Sequence, residues 1–238
     1  MPAITLHVLP PSHPCMAVEA ALKLKGLEYE RVALQAGPHV EEMTELYGKH
    51  TVPGMLVDGD PVHGSRAIYE RLDELVAEPA LLASAAVGEA EAWGDRELQD
   101  LGRRLPWGAM HFRPEALGTF GGAEPLDPAG TDFALKYVRA SWKYHKITAV
   151  QLAEDLTELP AKLDHADALI AEGTIGGEKP NAADFQIAST LRILLCLDDL
   201  APLMAGRPLE ELARRLFPDY PGRVPAGAFP AGWVPERG

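Results

Sequence analysis

Cysteine is scarce in this sequence, which has only Cys15 and Cys196 among its 238 residues. Two cysteines cannot build a disulfide framework, and no cysteines, histidines and acidic residues are spaced as the ligands of a metal ion. No apolar run approaches the roughly 18 residues of a membrane-spanning helix, and no charged segment followed by an apolar stretch marks a signal peptide. We therefore expect a cytoplasmic protein that has no metal ion and no membrane partner.

Basic residues are also few, because 22 lysines and arginines stand against 35 acidic residues and give a formal net charge of −13. A surface with this excess of negative charge repels the phosphate backbone of nucleic acids, and no basic stripe interrupts it. Nucleic-acid partners are therefore not expected. With 47% hydrophobic and 24% charged residues, the chain has the composition of a globular protein with a sizeable core.

The first 78 residues alternate between strand-like and helix-like patterns. The apolar run at 3–9 predicts a buried strand, and periodic apolar residues after Cys15 predict a helix that ends near Gly26. The elements predicted next are a strand at 29–34, a helix at 39–47, a β-hairpin at 55–63 and a helix at 66–76 with Ser65 as its N-cap. This order, βαβαββα, is that of a thioredoxin-like α/β domain.

From residue 84 onward the sequence has helical periodicity only. The predicted helices lie at 84–105, with a break at Pro106, and at 131–150, 151–172, 181–196 and 207–216. We therefore predict an α/β domain followed by an all-α domain. The predicted ranges are 1–78 for the thioredoxin-like domain, 84–216 for the all-helical domain, and 217–238 for a Pro/Gly-rich C-terminal tail without regular structure.

The segment Ser12-His13-Pro14-Cys15 lies between the first strand and the first helix. The unpaired N–H groups and the dipole of a helix N-terminus favour a thiolate there. A hydrogen bond from the Ser12 hydroxyl would stabilise such an anion by about 1.5–3 kcal/mol. Two alternatives stay open at this point: Ser12 could simply cap the helix, and Cys15 could be either a buried apolar residue or an activated nucleophile.

The segment His50-Thr51-Val52-Pro53 comes directly before the predicted hairpin. A cis Val52-Pro53 bond would expose the backbone of Val52, which could then pair with an extended, peptide-like ligand as if the ligand were another strand. The alternative is an ordinary trans bond without a ligand.

A second anion site is predicted where the hairpin meets the next helix. Ser65 and the first N–H groups of that helix suit a carboxylate, and Arg66 would add positive charge. His39 and His50 flank the preceding short helix, where an imidazole can bind a carboxylate of a small ligand. The alternatives are an ordinary N-cap, a solvated arginine and surface histidines without a role.

Taken together, these segments resemble the cytosolic glutathione S-transferases, most closely the serine-type delta and theta classes. Ser12-His13-Pro14-Cys15 is similar to their Ser-x-Pro-Cys segment, and His50-Thr51-Val52-Pro53 to their His-Thr-(Ile/Val)-Pro stretch, although Gly54-Met55 lengthens the following spacing by one residue. Ser65-Arg66-Ala67-Ile68 matches the end of their Glu-Ser-Arg-Ala-Ile signature. Asn181-Ala182-Ala183-Asp184-Phe185 resembles the N-capping box of their helical domain.

The resemblance implies a homodimeric detoxification enzyme in which glutathione, as co-substrate, attacks an electrophile or a peroxide. It implies an N-terminal thioredoxin-like domain and an all-helical glutathione-transferase domain, with an electrophile pocket between the two halves. The implied glutathione contacts are Ser12 for the sulfur, Val52 and Pro53 for the extended backbone, Ser65 and Arg66 for the γ-glutamyl carboxylate, and His39 and His50 for the glycine carboxylate. The implied electrophile pocket contains Trp107, Met110 and Phe112.

One position departs from the family pattern, because Gly64 stands where the family usually has Glu or Gln to hold the γ-glutamyl amino group. Asp58, Asp60 or an acidic residue of a partner chain could replace that group. Two alternative functions therefore stay open. One is a thiol-disulfide or deglutathionylating reductase that uses Cys15, and the other is a glutathione-fold protein that binds without catalysis.

Overall fold

The computed structural model of the protein describes residues 2–220 and 222–236. By packing, the chain divides into one unit of Met1–Gly94 with Gly173–Ser189 and a second unit of Asp95–Glu172 with Thr190–Gly238. The boundary predicted near Pro79 therefore lies inside the first packing unit. The domain ranges 1–78, 84–216 and 217–238 stay predictions.

The first unit contains a four-stranded sheet with its helices. The strands are β1 (Ile4–Val8), β2 (Glu30–Ala33), β3 (Gly54–Val57) and β4 (Asp60–His63), and the helices are α1 (His13–Leu24), α2 (His39–Tyr47), α3 (Ser65–Leu75) and α4 (Ala85–Trp93). The strand order is β2-β1-β3-β4. β1 is parallel to β2, whereas β3 is antiparallel to both β1 and β4. This topology confirms the predicted thioredoxin-like fold.

The core of the first unit forms because β1 and the neighbouring helices present small and branched apolar side chains to one another. Leu6 and Val8 of β1 are completely buried, as are Val18 and Leu22 on one face of α1. α1 packs against α3, whose Leu72 is also completely buried. Each such side chain contributes about 1.5–3 kcal/mol by leaving water.

The second unit is helical. Its helices are α5 (Gln99–Phe112), α6 (Ala116–Phe120), α7 (Pro128–Tyr144), α8 (Ala149–Ala171), α10 (Ala201–Met204) and α11 (Pro208–Leu216), while α9 (Ala182–Leu194) has residues in both units. The fold class predicted for the C-terminal half is therefore confirmed. Within the described ranges, no helix is long and apolar enough to cross a membrane.

The predicted break at Pro106 is wrong. α5 continues through Pro106, and the interruption lies instead at a π-helical segment, Gly94–Leu98, between α4 and α5. Here Gly94 packs so closely under Ile187 that an added Cβ would lie 2.9 Å from its side chain. The wider π-helical turn therefore occurs where the backbone of Gly94 lies close to a side chain. The periodicity of the apolar residues does not reveal such a contact.

The predicted capping box at the start of α9 is confirmed. The Asp184 amide donates to Asn181 Oδ1 (3.1 Å), and the Asn181 amide donates to Asp184 Oδ2 (2.9 Å). The other carboxylate oxygen of Asp184 accepts from the Gly176 amide (2.7 Å), and the Asp184 side chain is completely buried. One carboxylate thus satisfies two backbone donors that burial would otherwise leave unpaired.

The C-terminal tail has no helix or strand of several residues among its described positions, but it packs closely against the second unit. The carboxylate of Asp199 accepts three backbone N–H bonds, from Gly227, Ala228 and Phe229, at 2.6–3.1 Å. The guanidinium of Arg192 donates to the carbonyls of Phe217 and Tyr220 at 2.7 and 3.2 Å. The tail is therefore held by side chains that bind its backbone.

We expect Asp184→Ala to lower the free energy of unfolding by about 2–3 kcal/mol, because two partly buried backbone N–H groups lose their acceptor. The matched control is Asp127→Ala, which removes an exposed N-cap contact to the Gly130 amide (2.7 Å) and should cost about 1 kcal/mol or less. Urea denaturation followed by circular dichroism measures both. Equal losses for the two variants would contradict the assigned role of Asp184.

Candidate functional site

Strand pairing brings three of the predicted site segments to one end of the sheet. His7, near the carboxyl end of β1, pairs with Gly54 at the start of β3, and Gly54 pairs with His63 at the end of β4. The chain leaves β1 toward Ser12, enters β3 from Val52-Pro53, and leaves β4 toward Ser65. The N-termini of α1 and α3 therefore lie at the same end of the sheet as the Val52-Pro53 segment.

Ser12 occupies the N-cap position of α1, but its side chain makes no capping hydrogen bond. Its backbone amide donates to the Leu9 carbonyl (2.8 Å), and its carbonyl accepts from the Met16 amide (3.2 Å). The backbone of Ser12 thus shapes the start of the helix without using the hydroxyl. Ser12 is therefore the N-cap, as the simpler alternative predicted, although its side chain does not cap the helix.

Cys15 lies one turn into α1 and is only 2% exposed. Burial raises the pKa of the Cys15 thiol to about 11, and hydrogen bonds from Ser12 and the Leu9 backbone oppose that rise only in part. A thiol in this environment is protonated and inaccessible at neutral pH, whereas a reactive cysteine is exposed and has a lowered pKa. Cys15 therefore fits the buried apolar alternative.

The Val52-Pro53 peptide bond is cis, as predicted. Pro53 is buried and Val52 is partly exposed. The carbonyl of Pro53 accepts a hydrogen bond from the Gly64 amide (3.0 Å), which ties this segment to the residue that precedes α3.

The N-cap of α3 is Gly64, and Ser65 is the first helical residue, so the predicted N-cap at Ser65 is wrong by one position. Gly64 adopts φ 87°, ψ 152°, a backbone conformation that residues with a Cβ rarely adopt. No side chain caps α3. The N-cap residue therefore supplies no side-chain acceptor to the N–H groups at the positive end of the helix.

Arg66 is engaged in contacts within the first unit. Its guanidinium pairs with Glu91, whose side chain is 2% exposed, and with the exposed Glu70, both at 2.9 Å. It also donates to the Gly88 carbonyl (3.2 Å) and so links α3 to α4. Arg66 serves here as the partner of a buried carboxylate, which sequence analysis did not predict.

Asp58 and Asp60 lie at the opposite end of the sheet, where Val57 pairs with Asp60 and with Ile4. The Asp58 carboxylate accepts from the Ala3 amide (2.8 Å). Neither residue can replace the side chain missing at Gly64, so that suggestion is wrong.

His39 begins α2 and His50 follows its end. The imidazole Nδ1 of His39 accepts from the Gly37 amide (3.1 Å), and the ring is mostly buried. Burial lowers the pKa of His39, and the positive charge of the nearby His50 acts in the same direction. His50 is exposed. The two imidazoles are therefore neighbours, and the exposed one is accessible to a ligand.

Sequence analysis missed a polar cluster on the sheet at this end, formed by His7, Tyr47, Thr51 and His63. Tyr47 bonds to His7, and His63 bonds to Thr51. The sequence does contain one indication of this cluster, which is Gly54 at the start of β3. A glycine in a strand often marks the close approach of another group. The histidines could not be paired from their sequence spacing.

The three residues predicted for the electrophile pocket all lie in the second unit, but they differ in exposure. Met110 is completely buried, so it belongs to the core, whereas Phe112 is 39% exposed. Trp107 packs edge-on against Tyr137 (5.5 Å between ring centroids) and Phe112 against Trp233 (5.9 Å). Trp233 also lines a groove of about 490 Å³, whose other lining residues are Ala149, Val150, Ala153, Glu154, Thr157 and Glu158.

Among the described residues, no group of three histidine, cysteine or acidic side chains is arranged to hold a metal ion.

Residues 6–80 match the family described as "Glutathione S-transferase, N-terminal domain". Glutathione S-transferase 1 of Manduca sexta is 32% identical to this chain over 151 residues, which span 58% of this chain and 65% of that protein. The chain thus covers just under two thirds of the length of this relative.

Two solved structures share the fold. A glutathione S-transferase from Rhodospirillum rubrum superposes with a TM-score of 0.60 at 20% identity, covering 94% of this chain and 97% of that one. A beta-etherase from Sphingobium also gives a TM-score of 0.60, at 15% identity and with 90% and 99% coverage. At these identities the likeness concerns the fold alone. The two-part fold, thioredoxin-like and then helical, is thus that of the glutathione transferases.

Together, the match of residues 6–80, the related sequence and the shared fold make this chain similar to the glutathione S-transferases. The assignment to a serine-type class stays a prediction.

We expect both cysteines to resist alkylation in the native protein below about pH 9, because burial raises the pKa of Cys15 and of Cys196 to about 11. Reaction with iodoacetamide followed by mass spectrometry should show little label in buffer and two labels per chain in denaturant. Fast labelling of native Cys15, or its capture in a mixed disulfide with glutathione, would restore the reductase alternative.

Proposed function

We propose that this protein is a glutathione transferase, in which the thiolate of glutathione attacks an electrophilic carbon or reduces a peroxide. The observation that carries the proposal is the Ser12 hydroxyl. It stands at the N-terminus of α1 and makes no capping hydrogen bond, and its contact is to the neutral thiol of Cys15. A glutathione thiolate would be the stronger acceptor for its proton. The match of residues 6–80 to the N-terminal domain of the glutathione S-transferases supports the same activity.

Glutathione is an extended, anionic tripeptide, and the end of the sheet offers matching groups. In our proposal its backbone lies along Val52 and Pro53, which precede β3, and its γ-glutamyl carboxylate binds at Ser65. The N-terminus of α3 suits a carboxylate, since its N-cap residue is a glycine and offers no side-chain acceptor to the first N–H groups. The glycine carboxylate extends toward His50, with His39 behind it.

Arg66 can join the γ-glutamyl carboxylate site by exchanging one partner. Its contact with Glu70 is an exposed i,i+4 pair, of a kind that contributes only about 0.3–0.5 kcal/mol. Its contact with Glu91 neutralises a buried carboxylate and would persist. A ligand carboxylate that takes the place of Glu70 would therefore bind without disturbing the link between α3 and α4.

In the proposed reaction, the protein stabilises the thiolate of glutathione and aligns it with the electrophile. The thiol of bound glutathione releases its proton to solvent, and the resulting anion accepts the hydrogen bond from Ser12. The sulfur lone pair then forms the new bond to carbon while the leaving group departs with its own electron pair. Ser12 takes up no proton in this sequence and acts by lowering the pKa of the bound thiol.

For the electrophile we propose the aromatic surface of the second unit, with Trp107 and Phe112 as contacts and Met110 as support behind them. Partly exposed aromatic rings bind a range of apolar compounds, so this surface does not define one substrate. A homodimer and a cytoplasmic location are part of the same proposal, on the basis of the family.

The test of the proposal is Ser12→Ala. We expect the pKa of bound glutathione to rise by about one to two units, since a charge-assisted hydrogen bond is worth about 1.5–3 kcal/mol. Conjugation of a chlorinated nitrobenzene below that pKa should slow by roughly 10- to 100-fold. Ultraviolet difference spectroscopy, which detects the thiolate directly, gives the pKa of the bound thiol.

A matched control is Ser84→Ala, which removes a hydroxyl that does cap a helix by accepting from the Val87 amide (3.2 Å). Ser84→Ala should lower the free energy of unfolding by about 1 kcal/mol and leave the thiolate spectrum unchanged. Ser12→Ala should change the thiolate spectrum and leave the free energy of unfolding nearly unchanged. Glutathione binding without turnover of any electrophile or peroxide would favour the non-catalytic alternative that Gly64 suggests. An unchanged thiolate in Ser12→Ala would remove Ser12 from the mechanism.

A further inference from the structure

A row of three residues crosses the sheet next to the proposed glutathione site. His7 of β1, Gly54 of β3 and His63 of β4 lie directly opposite one another in the strand register. Directly opposed residues of neighbouring strands present their side chains on the same face. The two imidazoles therefore flank a position that has no side chain.

Tyr47, the last residue of α2, fills the space above Gly54. A Cβ at position 54 would lie 2.5 Å from Cε2 of the Tyr47 ring, a distance that no packed structure accepts. The Tyr47 ring meets the His7 ring edge-on, with 5.7 Å between centroids, and lies 6.1 Å from the His63 ring. Glycine at this position thus lets a tyrosine lie between two histidines.

The cluster is hydrogen-bonded on both sides of the tyrosine. A bond of 2.7 Å joins the Tyr47 hydroxyl to Nδ1 of His7, whose ring is 6% exposed. On the other side, Nε2 of His63 lies 2.8 Å from the carbonyl oxygen of Thr51 and 3.2 Å from its hydroxyl. Because a carbonyl only accepts, Nε2 carries the proton and donates to Thr51.

The carbonyl that His63 holds belongs to the peptide group that also contains the Val52 N–H. A peptide group is planar, and in the trans form its C=O and N–H point in opposite directions. Fixing the direction of the Thr51 carbonyl therefore fixes the direction of the Val52 N–H. That N–H is the donor that an extended ligand would use beside β3.

We propose that His63 is a positioning residue that aims the Val52 N–H at the backbone of bound glutathione, with Tyr47 and His7 holding its ring in place. This inference rests on the proposed function, because it concerns the same binding segment. His63 touches neither the sulfur nor the reacting carbon, so its effect falls on affinity and leaves the chemical step unchanged.

Three substitutions of His63 distinguish a positioning role from a general effect on the stability of the protein. His63→Ala removes the donor. In His63→Gln the amide nitrogen takes the place of Nε2 and can donate to Thr51, whereas in His63→Asn it takes the place of Nδ1 and cannot reach. Asp60→Asn is the control, since it alters the same strand at its far end.

We expect the Ala and Asn variants to raise the dissociation constant and the KM for glutathione by about five- to tenfold, the effect of one lost hydrogen bond. Their kcat at saturating glutathione should match that of the unaltered protein. His63→Gln should restore most of the affinity, and Asp60→Asn should change nothing. Titration calorimetry and steady-state kinetics measure these values.

Two outcomes would overturn the inference: equal affinity in all variants, or a loss in His63→Gln as large as in His63→Ala.

If the unaltered protein does not bind glutathione, the proposed function fails, and the positioning role is then tested without ligand. The NMR order parameter of the Val52 amide should fall in the Ala and Asn variants and recover in the Gln variant. An order parameter that is the same in all of them would overturn the positioning role by itself.

Discussion

The antiparallel pairing of β1 with β3 is the constraint on which the rest of the proposed site depends. It places the carboxyl end of one strand beside the start of the other, so the segments that carry Ser12 and Val52 meet, and β4 adds the start of α3 at the same end. Side chains alternate along a strand, so a register shift of one residue would turn His7 to the other face of the sheet. It would also remove the space above Gly54 that the Tyr47 ring occupies. The register therefore fixes both the binding segment and the groups that orient it.

Electrostatics at this end of the sheet relies on backbone dipoles more than on free cations. The chain has a net charge of −13, and Arg66 is already paired with two carboxylates. The N–H groups at the starts of α1 and α3 add positive potential at this end. Helix N-termini act over the distance of one turn, so they favour a small anion over a polyanion that the overall charge repels.

The parts of the structure that the sequence predicted are those set by local patterns. Apolar periodicity located the strands and helices of the first unit, and the Asn181–Asp184 spacing predicted a capping box that forms as expected. The errors arise from contacts between distant positions. Arg66 pairs with Glu91, 25 residues later, and Tyr47 fills the space that Gly54 leaves, so neither pair shows a sequence spacing. Helix α3 begins at Ser65 because Gly64, at positive φ, is tied to Pro53, a contact that the preference of serine for N-caps cannot reveal.

The C-terminal tail is held in part by side chains that bind its main chain. Asp199 accepts from three successive amides, and Arg192 donates to carbonyls on the other side of the tail. These contacts do not depend on which side chains the tail carries, but other positions do: Val224 and Phe229 are buried, and Gly227 has a φ of 78° that favours glycine. During evolution the tail can therefore change its exposed residues while it keeps its path, whereas packing constrains its buried apolar residues. A homologue with the same arrangement would keep counterparts of Asp199 and Arg192 and apolar residues at these buried positions.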